Sequence, residues 1–121
     1  MNIGVVGNRS FDDYELVEKT LSDFIREKEL TEVVIISGGA TGADSLAEKF
    51  AIENRYQSKI FYPNWEEYGR AAGPIRNKLI VENSEIIFVF WNGAGKGTQS
   101  TISIAEKMNV QVIKVVKDGR I

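Results

Sequence analysis

The sequence contains no cysteine and no histidine among its 121 residues. The absence of cysteine excludes disulfides and thiolate metal sites. The absence of histidine removes imidazole both as a general base and as a metal ligand. Any catalysis would therefore have to use Asp, Glu, Lys, Tyr, Arg or Ser, and we expect no metal site and no cofactor.

Long hydrophobic segments and a strong charge of one sign are also missing. The longest apolar run covers residues 86–91, which is too short to cross a bilayer. The first six residues lack the basic segment and long apolar stretch of a signal peptide. We therefore expect a cytoplasmic protein that does not contact a membrane.

The charge balance bears on the partners of the protein. There are 15 basic and 17 acidic residues, which give a net charge of −2 and an isoelectric point of about 5.2. A DNA-binding domain usually shows a basic face and a high isoelectric point. Nucleic acid is accordingly not expected as a partner. The length and composition are those of one globular domain spanning residues 1–121.

The chain does contain a regular alternation of β-rich and helical patterns. The β-rich runs cover residues 3–6, 33–36, 59–62, 86–90 and 110–116, and the helical patterns cover 14–28, 43–54, 74–82 and 98–108. Most of these runs are apolar on both faces, which indicates strands covered by helices on both sides. The alternation predicts a Rossmann-like α/β sandwich of three layers with a parallel sheet of order 3-2-1-4-5. Asp118-Gly119 predicts a turn into a short C-terminal edge strand.

Glycines cluster after three of the predicted strands, where parallel sheets bind ligands. The first strand ends in Gly7-Asn8-Arg9, and Arg9 either holds a phosphate or is solvated. The second strand is followed by Ser37-Gly38-Gly39-Ala40-Thr41-Gly42-Ala43-Asp44. Its backbone N–H groups at a helix N-terminus suit an anion, although a tight turn with close helix packing explains the same glycines.

Asp44 itself has two interpretations of equal weight. It either caps the helix or binds a ribose hydroxyl. The fourth strand runs into a similar segment, which reads Trp91-Asn92-Gly93-Ala94-Gly95-Lys96-Gly97-Thr98. Thr98 is interpreted as a helix cap or a phosphate ligand, and Trp91 as a packing residue or, less favoured, a base-stacking surface.

The segment 63–77 is predicted as a long loop, and such loops are often functional. Trp65, Tyr68, Arg70 and Arg76 offer aromatic and cationic groups for a base and a phosphate, with Gly73 and Asn77 beside them. The alternative is a partly helical lid whose aromatic residues cover the core.

These motifs together resemble the SLOG superfamily, which joins Smf/DprA with Lonely guy, and in particular its YspA-like branch. The matching pieces are Gly7-Asn8-Arg9, residues 37–44, residues 65–77 and Gly95-Lys96-Gly97-Thr98. The resemblance implies nucleotide binding on a Rossmann-like fold. It also implies pairing into homodimers or larger oligomers and, for some members, roles in NAD or ADP-ribose signalling and phage defence.

The resemblance leaves three functions open. The first is binding of a nucleotide or an ADP-ribose-like signal as a sensor or a sequestering protein. The second is hydrolysis of a nucleotide N-glycosidic bond, with Arg76 and Asp44 as catalytic candidates. However, Thr101 stands where Lonely guy enzymes have a catalytic Glu, so binding is favoured over catalysis. The third is single-stranded DNA binding of the DprA kind.

Overall fold

One parallel sheet of order β3-β2-β1-β4-β5 forms the centre of the protein in the computed structural model, which describes residues 1–117. Its strands are β1 (Asn2–Gly7), β2 (Val34–Ser37), β3 (Gln57–Ile60), β4 (Ile86–Trp91) and β5 (Gln111–Val116). The helices are α1 (Tyr14–Glu27), α2 (Ala43–Glu53), α3 (Trp65–Tyr68), α4 (Ala72–Glu82) and α5 (Lys96–Lys107), with a 3-10 turn at Gly69–Ala71. The predicted fold class and strand order are confirmed. The C-terminal edge strand predicted after Asp118-Gly119 lies outside the described residues.

Helices cover both faces of the sheet and create two apolar layers. The side chains of β4 alternate between them, so Phe88 and Phe90 pack with α1 and α2, whereas Ile87 and Val89 pack with α4 and α5. All six residues of β4 are buried. Full burial of one such side chain stabilises the fold by roughly 1.5–3 kcal/mol. The apolar run that predicted a central strand thus supplies both layers.

The edge strand β3 differs from its prediction. It begins at Gln57 rather than at residue 59, and its first three residues are exposed. Its pairing with β2 stops at Ser37↔Ile60, because β2 ends there. Tyr62, predicted as a strand residue, is therefore released from the sheet at its carboxyl edge.

The segment 63–77 is not a loop. It contains α3, the 3-10 turn and the start of α4. The side chain of Asn64 caps α3 by accepting a hydrogen bond from the Glu67 N–H at 3.1 Å. The helix α4 begins at Ala72, so Pro74 is its third residue rather than its first. Its missing N–H is tolerated there, because the first turn of a helix has no intrahelical acceptors.

The helix α5 also begins two residues before its predicted start, at Lys96. Thr98 therefore lies inside the first turn and is not the cap. Within residues 1–117, none of the helices has the length and apolar character needed to cross a membrane.

Candidate functional site

Two adjoining cavities open at the carboxyl edge of the sheet, where the strand order switches between β1 and β4. The inner cavity measures about 300 Å³, and its lining includes Gly7, Arg9, Asp44, Arg76, Gly97 and Thr98. The outer cavity measures about 450 Å³, and its lining includes Gly39, Thr41, Tyr62, Pro63 and Trp65. Arg9, Ala40 and Arg76 line both cavities. The two therefore form one cleft.

Asn8 ties the loops of this edge together. Its side-chain Nδ2 donates to the carbonyl oxygen of Ala94 at 2.8 Å, and its Oδ1 accepts from the Asn92 N–H at 2.6 Å. Its own carbonyl oxygen accepts from the Ala43 N–H at 3.1 Å. Asn8 was predicted to bind ligand, and it lines the inner cavity, but the two side-chain bonds also give it a structural role. It positions the loops before α2 and α5.

The loop between β2 and α2 is bonded to a carboxylate of the protein itself. Asp44, the second residue of α2, is only 7% exposed, and its Oδ2 accepts from the Ala40 N–H at 3.1 Å. Burial raises the pKa of this carboxyl, and it outweighs the hydrogen bond from Ala40 and the positive charge of Arg76. A carboxylate of the protein therefore lies in the first turn of α2 and bonds back to the loop that precedes the helix.

Close packing explains the glycine that begins α2. Gly42 has a φ of 75°, and a β-carbon there would overlap the carbonyl oxygens of Asn8 and Arg9. Gly42 therefore has the conformation and close contacts of a tight turn with close helix packing, which the sequence analysis gave as one explanation of these glycines.

Arg76 reaches across the cleft from α4 to the end of β2. Its Nη1 donates to the Gly38 carbonyl oxygen at 2.6 Å, and its Nε donates to Asn77 Oδ1 at 3.0 Å. Burial lowers the pKa of Arg76, and the charge of Arg9 lowers it further, against the opposite effect of Asp44. Among residues 1–117, no carboxylate oxygen lies within 4.0 Å of either guanidinium. Two arginines thus face one cleft without an ion-pair partner.

The loop between β4 and α5 leaves its helix N-terminus open. Gly95 begins the helix with a φ of 123°, and no side chain caps it. The first backbone bond of the helix is donated by the Gln99 N–H to the Gly95 carbonyl oxygen. Within the described part of the chain, the N–H groups of Lys96, Gly97 and Thr98 donate to no protein acceptor. The N–H groups of Gly97 and Thr98, whose residues line the inner cavity, offer hydrogen-bond donors to an anion there.

Exposed aromatic rings line the outer cavity. Tyr62 is 67% exposed and Trp65 is 53% exposed. The Tyr62 ring lies against Gly39, since a β-carbon at that glycine would overlap it. The cleft therefore combines a cationic inner part with an aromatic outer part.

The cleft brings together most of the predicted ligand-binding residues, namely Gly7, Asn8, Arg9, Gly38, Gly39, Ala40, Asp44, Trp65, Arg76, Asn77, Gly95, Gly97 and Thr98. The other predicted ligand-binding residues do not line it, namely Ser37, Gly42, Ala43, Arg70, Gly73, Trp91 and Lys96. Trp91 is 6% exposed and packs in the layer beside α4 and α5, as its packing interpretation predicted. Arg70 is exposed on the 3-10 turn, and Lys96 lies on the opposite side of α5 beside Gln99.

Six lining residues were missed by the sequence interpretation, namely Val6, Thr41, Tyr62, Pro63, Ile80 and Thr101. Helical spacing indicates two of them, because Ile80 follows Arg76 by four residues and Thr101 follows Thr98 by three. The Thr101 hydroxyl donates to the Gly97 carbonyl oxygen at 3.3 Å. Among the described residues, Asp44 is the one carboxylate that lines the inner cavity.

Comparison with known proteins shows which family this chain resembles. Residues 1–68 match the family model described as the YspA, cpYpsA-related SLOG family. The chain is also similar to the Gene 61 protein of Mycobacterium phage D29. The two are 27% identical over 115 residues, which cover 90% of this chain and 91% of that protein.

Two solved structures share the fold. DNA processing protein A (DprA) from Streptococcus pneumoniae matches 98% of this chain with a TM-score of 0.75 and 21% identity. The protein of that name from Helicobacter pylori, studied for its single-stranded DNA binding mode, matches 99% with a TM-score of 0.68 and 18% identity. This chain spans 51% of the first protein and 67% of the second. At these identities the likeness shows the fold alone.

The expectation that excluded nucleic acid as a partner is wrong. The Helicobacter pylori protein has this fold and is described by its binding of single-stranded DNA. A net charge also averages over the surface, whereas binding depends on the local field. The family model covers more than half of the chain. The chain belongs to the YspA, cpYpsA-related SLOG family.

Proposed function

We propose that the cleft binds single-stranded DNA, with a backbone phosphate at the N-terminus of α5 between Arg9 and Arg76. One observation carries this proposal. The inner and outer cavities share Arg9, Ala40 and Arg76, so the cationic pocket continues into a surface with exposed aromatic rings. Non-specific single-strand binding sites combine these two features.

The phosphate position is supported by the two arginines. They are close enough for the charge of Arg9 to lower the pKa of Arg76. A phosphate between them would relieve this repulsion and accept hydrogen bonds from both guanidinium groups. The open N–H groups of Gly97 and Thr98 would donate to the same anion.

The base position is supported by Tyr62 and Trp65. Both rings are exposed in the outer cavity, next to the arginines rather than in the core. Stacking of one base on such a ring stabilises a complex by about 1–3 kcal/mol. Every base has a π face, so this arrangement predicts little sequence preference.

The distribution of charge is compatible with a polyanion. Residues 12–32, which include α1, hold eight of the 17 acidic residues and three of the 15 basic ones. The rest of the chain therefore has a net charge of +3. The acidic isoelectric point reflects mainly one outer segment, which contributes no residue to the lining of the cleft.

Fluorescence anisotropy with labelled oligothymidylate of about 16 nucleotides tests the proposal. We expect saturable binding that weakens with salt, and weaker binding of a duplex of equal length. Arg9→Ala should weaken binding about tenfold, as expected for loss of a charged hydrogen bond. Arg26→Ala is the matched control, because Arg26 lies exposed in the last turn of α1, paired with Asp23. Absence of binding at low salt, or equal effects of the two substitutions, would contradict the proposal.

A free nucleotide is the second candidate, favoured by the size of the inner cavity. Its volume of about 300 Å³ is at the lower end of typical small-ligand pockets. Calorimetry with AMP, NAD and ADP-ribose tests this candidate, and release of free base from AMP or NAD tests hydrolysis. Sensing, sequestration and oligomer formation stay predictions from the family resemblance.

A further inference from the structure

The walls of the inner cavity carry opposite charges. Arg9, Arg76 and the N-terminus of α5 favour an anion, whereas Asp44 presents a carboxylate to the same space. Asp44 and Arg76 both lie against Gly38. A β-carbon there would be 3.0 Å from Asp44 Oδ2 and 2.5 Å from Arg76 Nη1. A ligand that fills the cavity must therefore suit both charges.

The carboxylate of Asp44 retains acceptor capacity that the protein does not use. An ionised carboxylate offers about four lone-pair sites, and the backbone N–H groups of Ala40 and Gly38 use at most two of them. No Lys or Arg nitrogen of residues 1–117 lies within 4.0 Å of it. Because the residue is buried, water is a poor substitute for a partner. The remaining acceptor positions suit a hydrogen-bond donor on the ligand and disfavour a second anion.

The ligand group that contacts Asp44 can be inferred from the proposed positions of the phosphate and the base. The phosphate belongs at the cationic wall, and the base belongs at the rings of Tyr62 and Trp65 in the outer cavity. The sugar joins the two and is left beside Asp44. A sugar can donate a hydrogen bond only through a free hydroxyl.

We propose that Asp44 accepts a hydrogen bond from a free sugar hydroxyl of the nucleotide bound in the inner cavity. This inference rests on the proposed function and deepens it. An internal deoxyribose has no free hydroxyl, so the site selects a strand with a 3′-hydroxyl end or a sugar with a 2′-hydroxyl. Asp44 contacts ligand in this proposal and has no role in bond cleavage.

The first experiment compares ligands on the unaltered protein. Anisotropy measures oligothymidylate with a 3′-hydroxyl, the same strand with a 3′-dideoxy end, a circular strand and the equivalent RNA. Calorimetry measures AMP, dAMP and ddAMP, which differ only in their sugar hydroxyls. Loss of the hydroxyl should weaken binding by about tenfold or more, because it leaves a buried charged acceptor unpaired. Tighter binding that requires only the 3′-hydroxyl shows that Asp44 contacts a strand terminus. Tighter binding of RNA or AMP than of the deoxy form shows that it contacts the 2′-hydroxyl.

The second experiment repeats the series with Asp44→Asn. The amide oxygen of Asn can still accept from Ala40, so the loop is preserved while the strong acceptor is lost. We expect the ratio between hydroxyl-bearing and dideoxy ligands to fall toward one, without weaker binding of the dideoxy ligands. Glu53→Gln, at the C-terminal end of α2 and outside both cavities, should leave the ratio unchanged.

The outcomes separate this inference from the proposed function. Equal binding of hydroxyl and dideoxy ligands by the unaltered protein overturns the inference, whether or not Asp44→Asn folds. So does a ratio that persists in Asp44→Asn. Binding of DNA without a hydroxyl preference therefore leaves only the proposed function standing. A hydroxyl preference among mononucleotides without any DNA binding would overturn single-stranded DNA binding and leave the role of Asp44 standing for a free nucleotide. No binding of any ligand overturns both.

Discussion

The loops before α2 and α5 look alike in sequence but differ in what they offer a ligand. Each follows a buried strand and begins its helix with a glycine of positive φ, Gly42 at 75° and Gly95 at 123°. Within residues 1–117, neither helix has a side-chain cap. The second helical residue differs, because it is Asp44 in α2 and Gly97 in α5. The first turn of α2 therefore carries a carboxylate, which repels an external anion, whereas the first turn of α5 carries none.

The difference teaches that a glycine-rich strand-to-helix loop is not by itself a phosphate site. Its N–H groups must also be free, and in the α2 loop those of Ala40 and Ala43 already bond to Asp44 and Asn8. In the proposed complex the phosphate therefore lies at α5, whose first turn carries no carboxylate, and the α2 loop forms the wall that faces it.

Placing an aspartate in the first turn of α5, as in α2, should have the largest effect on DNA binding. Gly97→Asp places a carboxylate at the second residue of α5, where a β-carbon has no atom within 4 Å. Like charges in a binding site cost several kcal/mol, so affinity for single-stranded DNA should fall roughly a hundredfold or more. The fold should tolerate the change, because an acidic residue is favourable in the first turn.

Gly97→Asn is the matched control for this prediction, since it has nearly the same shape without the charge. Anisotropy and thermal melting of the two variants check affinity and folding. If both variants bind DNA equally, the anion does not lie at the N-terminus of α5.

The next effect concerns the geometry of Arg76. Arg76→Lys keeps the charge but loses the fork that bonds to Gly38 and Asn77, and we expect about tenfold weaker DNA binding. The salt dependence should be unchanged for Lys and should decrease for Arg76→Ala by about 0.7 in log–log slope. A salt titration of both variants measures this, with Arg26→Lys as the control. An unchanged slope in Arg76→Ala would show that Arg76 contacts no phosphate.

The outer cavity should contribute a smaller, base-dependent effect. Trp65→Ala should weaken binding of oligothymidylate about fivefold to tenfold, the lower part of the range for loss of one stacked base. Binding of inorganic phosphate should not change, because the ring lies in the outer cavity. Tyr68→Ala is the control, since Tyr68 is 44% exposed but lines neither cavity. Equal losses for both variants would argue against stacking on Trp65.

The smallest effect is one of stability and concerns Asp44. Burial raises its pKa above the unfolded value, so its ionised form destabilises the folded chain at neutral pH. Asp44→Asn should therefore have the higher free energy of unfolding at pH 7. This advantage should disappear as the pH falls through the raised pKa toward the unfolded value of about 4. Urea denaturation at several pH values measures the difference, and a less stable Asp44→Asn at pH 7 would contradict the assigned direction.

Local patterns predicted much of the fold. The apolar runs of β1, β2 and β4 and the helical spacing of α1 and α2 depend on residues near in sequence. The strand order followed from the rule that alternating strands and helices form right-handed crossovers. The starts of α4 and α5 were misplaced by two residues, because glycine, proline and threonine near each start obscured the first turn. The exposure of β3 was missed because periodicity does not show which strand lies at an edge.

The sequence by itself determined the parallel sheet, the edge at which the cleft opens and most of the residues around it. These features depend on hydrophobic periodicity and on glycines at strand ends, which are local properties. Only the tertiary structure decided how the two loops are held, because Asn8 bonds to Asn92 and Ala94 before α5 and to Ala43 at the start of α2, while Asp44 folds back onto Ala40. It also placed Trp91 in the core and Tyr62 in the cleft, since burial is decided by the elements that pack around a residue.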